Sequence, residues 1–366
     1  MRIAYLSIGG HIHTERWLTH FVERGHEVHL LTVQPAPIEG VEIHDIRTGI
    51  PVKPLHYAVA LRAVRRILAR LEPDLLHTHF LTGYGYWGAF SGFHPFVLTV
   101  WGDDVYLTPG QSFLKGKLAR FALRRADLIT GDSRDILDHA VRMGADPGRC
   151  EVVQWGVDLQ SFRPDAPSDV RERLGIPRDA PVVISIRSFT QPYYNIDVIL
   201  RAVPRILAER PATRFIFAGN EGDDAGFRRL ANDLGIDERA RFVGRIPHEE
   251  LPAYLVASDV FLTVPSVDAT AVSLLEAMAC GTPVVVSSLA SALEWVEDGS
   301  SGLVVPPLDR KALEDAILSL IDDPGLRRRL GEESARIVGE RADHRVHMAR
   351  MEELCERAVA EWSKRG

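Results

Sequence analysis

The chain has 366 residues, 46% of them hydrophobic and 25% charged, with no biased or repetitive segment. That length exceeds one ordinary hydrophobic core and predicts two domains of a globular protein. A net charge of −7 argues against a nucleic-acid binder, which carries a basic surface, while leaving room for a locally basic face.

In chain order, MRIAYLSIGG has too short an apolar stretch for a signal peptide and reads as a first strand. IAYLSI (3–8), EVHLLTV (27–33), DLLHTH (74–79), FVLTV (96–100) and DLITGD (127–132) are near-continuously apolar, the pattern of buried parallel strands. Between them RWLTHFVERG and LRAVRRILARLEP have helical spacing and stop at Gly25 and Pro73. Such alternation predicts an α/β fold with a parallel sheet covered on both faces. The segment 154–181 has four prolines and no strand pattern, and reads as a linker. The rhythm then restarts with PVVISIR (181–187), RFIFAG (214–219), RFVG (241–244), DVFLTV (259–264), PVVVSS (283–288) and GLVVP (302–306). Two α/β units of similar size follow, with ligands expected beyond the carboxyl ends of their strands, in a cleft between the domains. From about Leu326 the chain is helical and rich in Arg and Glu, the pattern of a solvated amphipathic face.

Cys150, Cys280 and Cys355 are far apart and form no CxxC pair, which predicts neither a disulfide framework nor a zinc site. No apolar run reaches the ~18 residues of a membrane span, so a cytoplasmic protein is expected.

The stretch DATAVSLLEAMACGTPVVV (268–286) sets Asp268 and Glu276 around a short apolar helix closed by Gly281. With Thr270 as the N-cap, the amides of Ala271, Val272 and Ser273 are free to bind a phosphate. Glu276 then lies about 9 Å further along the axis, the offset between a diphosphate and the ribose of one nucleotide. A carboxylate there accepts two hydroxyls, and Asp268 falls where a sugar on the diphosphate would sit. Simple capping of the helix by acids is the plainer alternative.

This stretch resembles the signature of the family 4 retaining glycosyltransferases, in which two acidic residues flank a seven-residue gap. ERGHEVHLLT, PDLLHTH, ADLITGDSRDI, GVDLQSFRP, DVILRA, DVFLTVPS and GLVVPPLD follow in the family's order. The resemblance implies a GT-B fold of two Rossmann-like domains, here 1–164 for the acceptor and 165–345 for the nucleotide sugar, with a helix over 346–366 that can pack back on the first. It implies that Glu276 holds ribose, Asp268 the transferred sugar, and the amides near Thr270–Ser273 the diphosphate. The family's first acidic residue is usually Glu, so Asp268 is one methylene short.

The family also has an Arg and a Lys on the diphosphate. Arg187 matches the Arg, whereas the Lys position holds Tyr194 or Asn195. Gly9 and Gly10 follow the first strand and by resemblance approach the donor, although any tight turn favours glycine. In WGDD (101–104), Trp101 replaces the His of many relatives, and Asp103, as a catalytic candidate, or Asp104, at the acceptor, can face the cleft or serve the turn. His77 and His79 share a strand face. His79 is an acceptor-site candidate, and no carboxylate completes a metal set with these histidines or with His11 and His13. The run KGKLARFALRR (115–125) is either a solvated helix face or a contact for an anionic membrane.

The expected activity is metal-independent, retaining transfer of a sugar from a UDP- or GDP-linked donor to a sugar, lipid-linked or small-molecule acceptor. No cofactor is expected beyond the nucleotide sugar as co-substrate. The alternatives are a sugar-nucleotide epimerase, a phosphorylase, or a weakly active sugar-nucleotide-binding protein. Neither first βα turn carries the full dinucleotide fingerprint G-x-G-x-x-G.

Overall fold

The structure, a computed structural model, describes residues 1–219 and 224–364. The chain divides into two units, Met1–Trp155 together with the chain from Arg345 onward, and Gly156–His344.

The first unit is built on seven strands: β1 (Arg2–Leu6), β2 (Glu27–Thr32), β3 (Val41–Asp45), β4 (Leu75–His79), β5 (Phe96–Thr99), β6 (Leu128–Gly131) and β7 (Cys150–Val152). Their order is β3-β2-β1-β4-β5-β6-β7, and every neighbouring pair is parallel. The order runs outward in opposite directions from β1 and β4, so the switch point lies between these two strands. A crevice forms there because the two following connections leave on opposite faces. β3 and β7 escaped the sequence reading. Both are short edge strands, and VEIHD and CEV lack the continuous apolar run of a central strand.

The second unit has six parallel strands: β8 (Val182–Ile186), β9 (Arg214–Ala218), β10 (Ala240–Gly244), β11 (Val260–Thr263), β12 (Val284–Ser287) and β13 (Leu303–Val305). Their order, β10-β9-β8-β11-β12-β13, places the switch point between β8 and β11. Two apolar layers sandwich this sheet. One includes Leu274, Leu275 and Met278, and the other Ile199, Val203 and Ile317. Near-continuous Val and Ile in β8 and β12 follow from burial on both faces.

The unit boundary falls at 155/156 rather than at 164/165. Residues 156–164 are tied to the second unit: the Val157 amide donates to the Ala342 carbonyl at 2.7 Å, and the His344 amide donates to the Val157 carbonyl at 3.0 Å. Gly156 sits at φ +68, and a Cβ there would lie 2.5 Å from the His344 Cα, so only glycine fits. Phe162 is buried in the same core. The C-terminal helix His344–Ser363 belongs to the first unit from Arg345 on. Its buried Glu352 pairs with Arg24 at 3.0 Å and His26 at 2.8 Å, and its Arg357 pairs with Glu151 at 2.8 Å.

Candidate functional site

At the switch point of the second unit, Arg187 directly follows β8, and the loop after β11 carries Asp268. Strand pairing makes these neighbours, since Leu262 lies opposite Ser185. The Arg187 guanidinium donates from Nε to the Thr263 hydroxyl at 3.0 Å, and its Nη2 forms an ion pair with Asp268 Oδ2 at 2.7 Å. The Tyr194 ring lies 4.8 Å from its centre. Nη1 has no partner among the described residues. Arg187 is thus fixed by two groups and keeps two N–H donors for a ligand. Gly219, at the end of β9, allows this close packing, because a Cβ there would lie 2.6 Å from the Arg187 carbonyl.

The following helix spans Val272–Ala279. Its N-cap is Ala271, one residue beyond the expected Thr270, and no side chain caps it. Thr270 is instead buried just before the turn. Alanine has no side-chain oxygen to offer, so the first amides, at the half-buried residues Ala271, Val272 and Ser273, have no side-chain acceptor among the described residues. Asp268 stands at this helix start, its carbonyl held by the Ser291 hydroxyl at 3.0 Å. Arg187, Thr263, Asp268 and Ala271 line one small pocket. Glu276 is buried on the same helix and its Oε1 meets His248 Nε2 at 2.8 Å. His248, in the turn His248–Glu250 beyond β10, was missed by sequence reasoning. It lies 28 residues away on another element, and no spacing rule links the two.

Asn195 does not project toward Arg187. It is buried in the left-handed region at φ +56, and its amide donates to the Val264 carbonyl at 2.9 Å and the Ser266 hydroxyl at 2.8 Å. Both N–H groups are spent on holding the loop after β11, which corrects its expected place on the donor. Of the two candidates for the Lys position, Tyr194 is the one that lies against Arg187.

In the first unit, Gly9 and Gly10 follow β1 at its switch point. A Cβ on Gly9 would lie 2.0 Å from the Gln34 carbonyl oxygen, and Gly10 has φ +72, so both glycines are required by the turn itself. Asp104 is fully buried and corrected from acceptor contact to loop anchor. Its carboxylate accepts the amides of Leu81 at 2.6 Å, Gly102 at 2.7 Å and Trp101 at 3.1 Å. Burial still pushes its carboxyl up to about 6. Asp103, half-buried in the first turn of the short helix Asp103–Tyr106, also titrates above the ordinary carboxylate range because of desolvation.

His79 is likewise corrected from the acceptor site: it is fully buried at the end of β4, edge-on to Trp17 at 4.8 Å and close to Trp101 and Trp155. Burial holds its pKa well below the ordinary histidine value and brings that of its neighbour His77 down to about 3. Among the described residues, one His/carboxylate trio is close enough to share an ion: His29, Glu42 and His44 on β2 and β3. It contains none of the expected site residues.

Two family descriptions match the chain: "Glycosyl transferase 4-like" over residues 2–133 and "Glycosyl transferases group 1" over residues 168–336. The chain belongs to the group 1 glycosyltransferases. The D-inositol 3-phosphate glycosyltransferase of Kribbella flavida is 28% identical over 325 residues, 82% of this chain and 74% of that one. A GDP-mannose-dependent alpha-(1-6)-phosphatidylinositol monomannoside mannosyltransferase of Mycolicibacterium smegmatis is 35% identical, but the match spans only 57% of each chain. In fold, Anabaena HepE solved with UDP-glucose superposes with a TM-score of 0.82 at 19% identity, covering 96% of this chain and 98% of that one. The glycosyltransferase has the GT-B architecture, two Rossmann-like domains on parallel sheets. No helix among its described residues is long and apolar enough to cross a membrane.

Proposed function

We propose that this glycosyltransferase moves a sugar from a UDP- or GDP-linked donor to an acceptor hydroxyl, retaining the anomeric configuration and using no metal ion. The observation that carries the reading is one constellation in the second unit. Arg187 is paired with Asp268 at an uncapped helix start, and a buried carboxylate lies farther along that helix. The diphosphate sits on the free amides of Ala271–Ser273 and on Arg187 Nη1. Glu276, oriented by His248, accepts the ribose hydroxyls through its remaining oxygen. Asp268 then meets the hydroxyls of the transferred sugar. The names of the Mycolicibacterium and Anabaena proteins support a guanine or uracil base, and both remain in the proposal.

The reaction breaks the bond between the anomeric carbon and the β-phosphate oxygen. Negative charge grows on the departing diphosphate, where the guanidinium and the helix amides stabilise it. On the front face of the sugar, the acceptor oxygen bonds to the anomeric carbon as its proton passes to the leaving phosphate. A sugar, a lipid-linked sugar or a small molecule fits this chemistry as acceptor.

Thermal unfolding with UDP-glucose and with GDP-mannose tests the donor reading. A ligand at about a hundred times its Kd stabilises the fold by about 2.7 kcal/mol, a rise of several degrees. If neither these nor other nucleotide sugars raise the midpoint, the donor site is wrongly assigned. An epimerase would convert the donor with no acceptor present, whereas a transferase releases nucleoside diphosphate in proportion to acceptor consumed.

A further inference from the structure

Residues 46–126 contain eleven Lys and Arg against four Asp and Glu, a strongly basic segment in a chain of net charge −7. One of those four acids, Asp104, is buried. The helices Lys53–Leu71 and Phe113–Arg125 contain no acid at all.

These helices form one surface of the first unit through the helix Tyr84–Ser91 between them. The Trp87 indole donates to the Tyr57 carbonyl at 3.1 Å, and the Tyr86 hydroxyl donates to the Lys115 carbonyl at 3.4 Å. Farther along, Arg65 donates to the Phe90 carbonyl at 2.5 Å, while the Phe90 ring stacks on Phe121 at 4.6 Å. The outward positions follow helical spacing. On one helix they include Leu55, Ala58, Arg62, Arg65, Arg66 and Ala69, and on the other Phe113, Leu114, Lys117, Arg120, Phe121 and Arg124. Ala119, Ala122 and Leu123 face inward.

Single exposed apolar side chains are ordinary. Here they cluster inside a basic field: Phe113 is 79% exposed and Leu114 65%, with Leu55, Tyr57, Phe90 and Phe121 also open to solvent. Lys117 Nζ lies 4.4 Å from the Phe113 ring. A solvated face would expose acids as well as bases. A nucleic-acid face would have no use for Phe113 and Leu114 at its most exposed point. A lipid surface uses both features, with apolar side chains entering the acyl boundary while bases meet phosphate.

We propose that this face docks on an anionic phospholipid bilayer. Phe113 and Leu114 enter the interface, and Arg62, Arg66, Lys117 and Arg124 lie over the headgroups. The docking is peripheral and reversible, and it brings the first unit to membrane-borne molecules without a spanning segment.

Co-sedimentation of the full chain with vesicles tests this. Vesicles with about 30% phosphatidylglycerol should bind it, and pure phosphatidylcholine vesicles should not. Raising NaCl from about 0.1 M to about 1 M shortens the screening length from about 10 Å to about 3 Å and should release it. Removing two charges, Lys117→Ser with Arg124→Ser, should weaken binding about 25-fold, since each base near such a surface contributes about fivefold. Phe113→Ser with Leu114→Ser should cost about tenfold, from lost apolar burial. Equal binding to both vesicle types, binding to neither, or either double variant binding within about twofold of wild type would overturn the proposal. So would a DNA duplex that binds as tightly as the anionic vesicles while the Phe113→Ser, Leu114→Ser pair keeps full affinity for both, because that is generic polyanion binding. The lipid and salt arms use the wild-type chain, so they decide even if a variant fails to fold.

Discussion

Replacing Arg187 by alanine should slow transfer more than any other single side-chain change in the second unit. The guanidinium holds Asp268 at 2.7 Å and Thr263 at 3.0 Å, which leaves Nη1 as the donor group offered to a diphosphate. Tyr194 brings an aromatic face to Arg187, not a second cation. One side chain therefore carries the positive charge that helps the helix amides as the glycosidic bond breaks. An oriented donor of this kind contributes about 2.7–4 kcal/mol, or about 10²–10³ in kcat. Because the contact strengthens as charge develops, the loss should appear in kcat more than in donor Kd. Single-turnover transfer with the best donor, beside calorimetric donor binding, separates the two. A rate within about threefold of wild type, far below the expected loss, would make Arg187 a bystander. The structure also decides where a restoring ammonium belongs. Tyr194→Lys should partly rescue Arg187→Ala. Asn195→Lys should instead cost about 2–4 kcal/mol of stability, because a buried left-handed residue loses two hydrogen bonds. Rescue by Asn195→Lys alone would refute that assignment.

Glu276→Ala should raise the donor Kd with little change in kcat, since a ribose contact is present in ground and transition states alike; unchanged calorimetric affinity would remove Glu276 from the donor site. Stability should fall as pH drops from neutral. Buried His77 has a folded pKa depressed to about 3 from 6.5, so its contribution is present above 6.5 and is lost toward 3, about 2 kcal/mol by pH 5. His79 acts in the same direction. Asp104 opposes them, because its folded pKa is raised to about 6 from 3.8, so it returns part of that loss as the pH falls toward 3.8. A thermal midpoint higher at pH 5 than at pH 7.5 would contradict this sum. Transfer should survive exhaustive EDTA treatment; activity lost to EDTA and restored by Mg²⁺ or Mn²⁺ would refute the metal-free reaction.

The central strands were legible because burial on both faces writes itself as unbroken runs such as VVISI and VVVS. The two edges of the first sheet were not, since β3 alternates polar with apolar residues and β7, CEV, has no apolar run. The helix carrying Glu276 was found from its apolar run, but its start was set one residue early because Thr270 looks like a cap and Ala271 does not. What sequence could not assign was the partner of each polar side chain. Asn195, Asp104 and His79 are the residue types expected at a site, yet the fold uses the first two to pin loops and the third in an aromatic core. His248 reaches Glu276 only through tertiary packing. The sequence pointed to the carboxyl ends of the strands, the sheet order located the switch points, and hydrogen-bond accounting decided which side chains remain free for a ligand.

The central claim is retaining transfer from a nucleotide sugar, and the anomeric proton signal reports it directly. With the donor and acceptor pair that supports turnover, proton NMR of the mixture should show a new glycoside whose anomeric coupling has the donor's configuration from the first turnover, with nucleoside diphosphate released in equal amount. A product of inverted configuration, or donor consumed with no glycoside formed, would contradict the account.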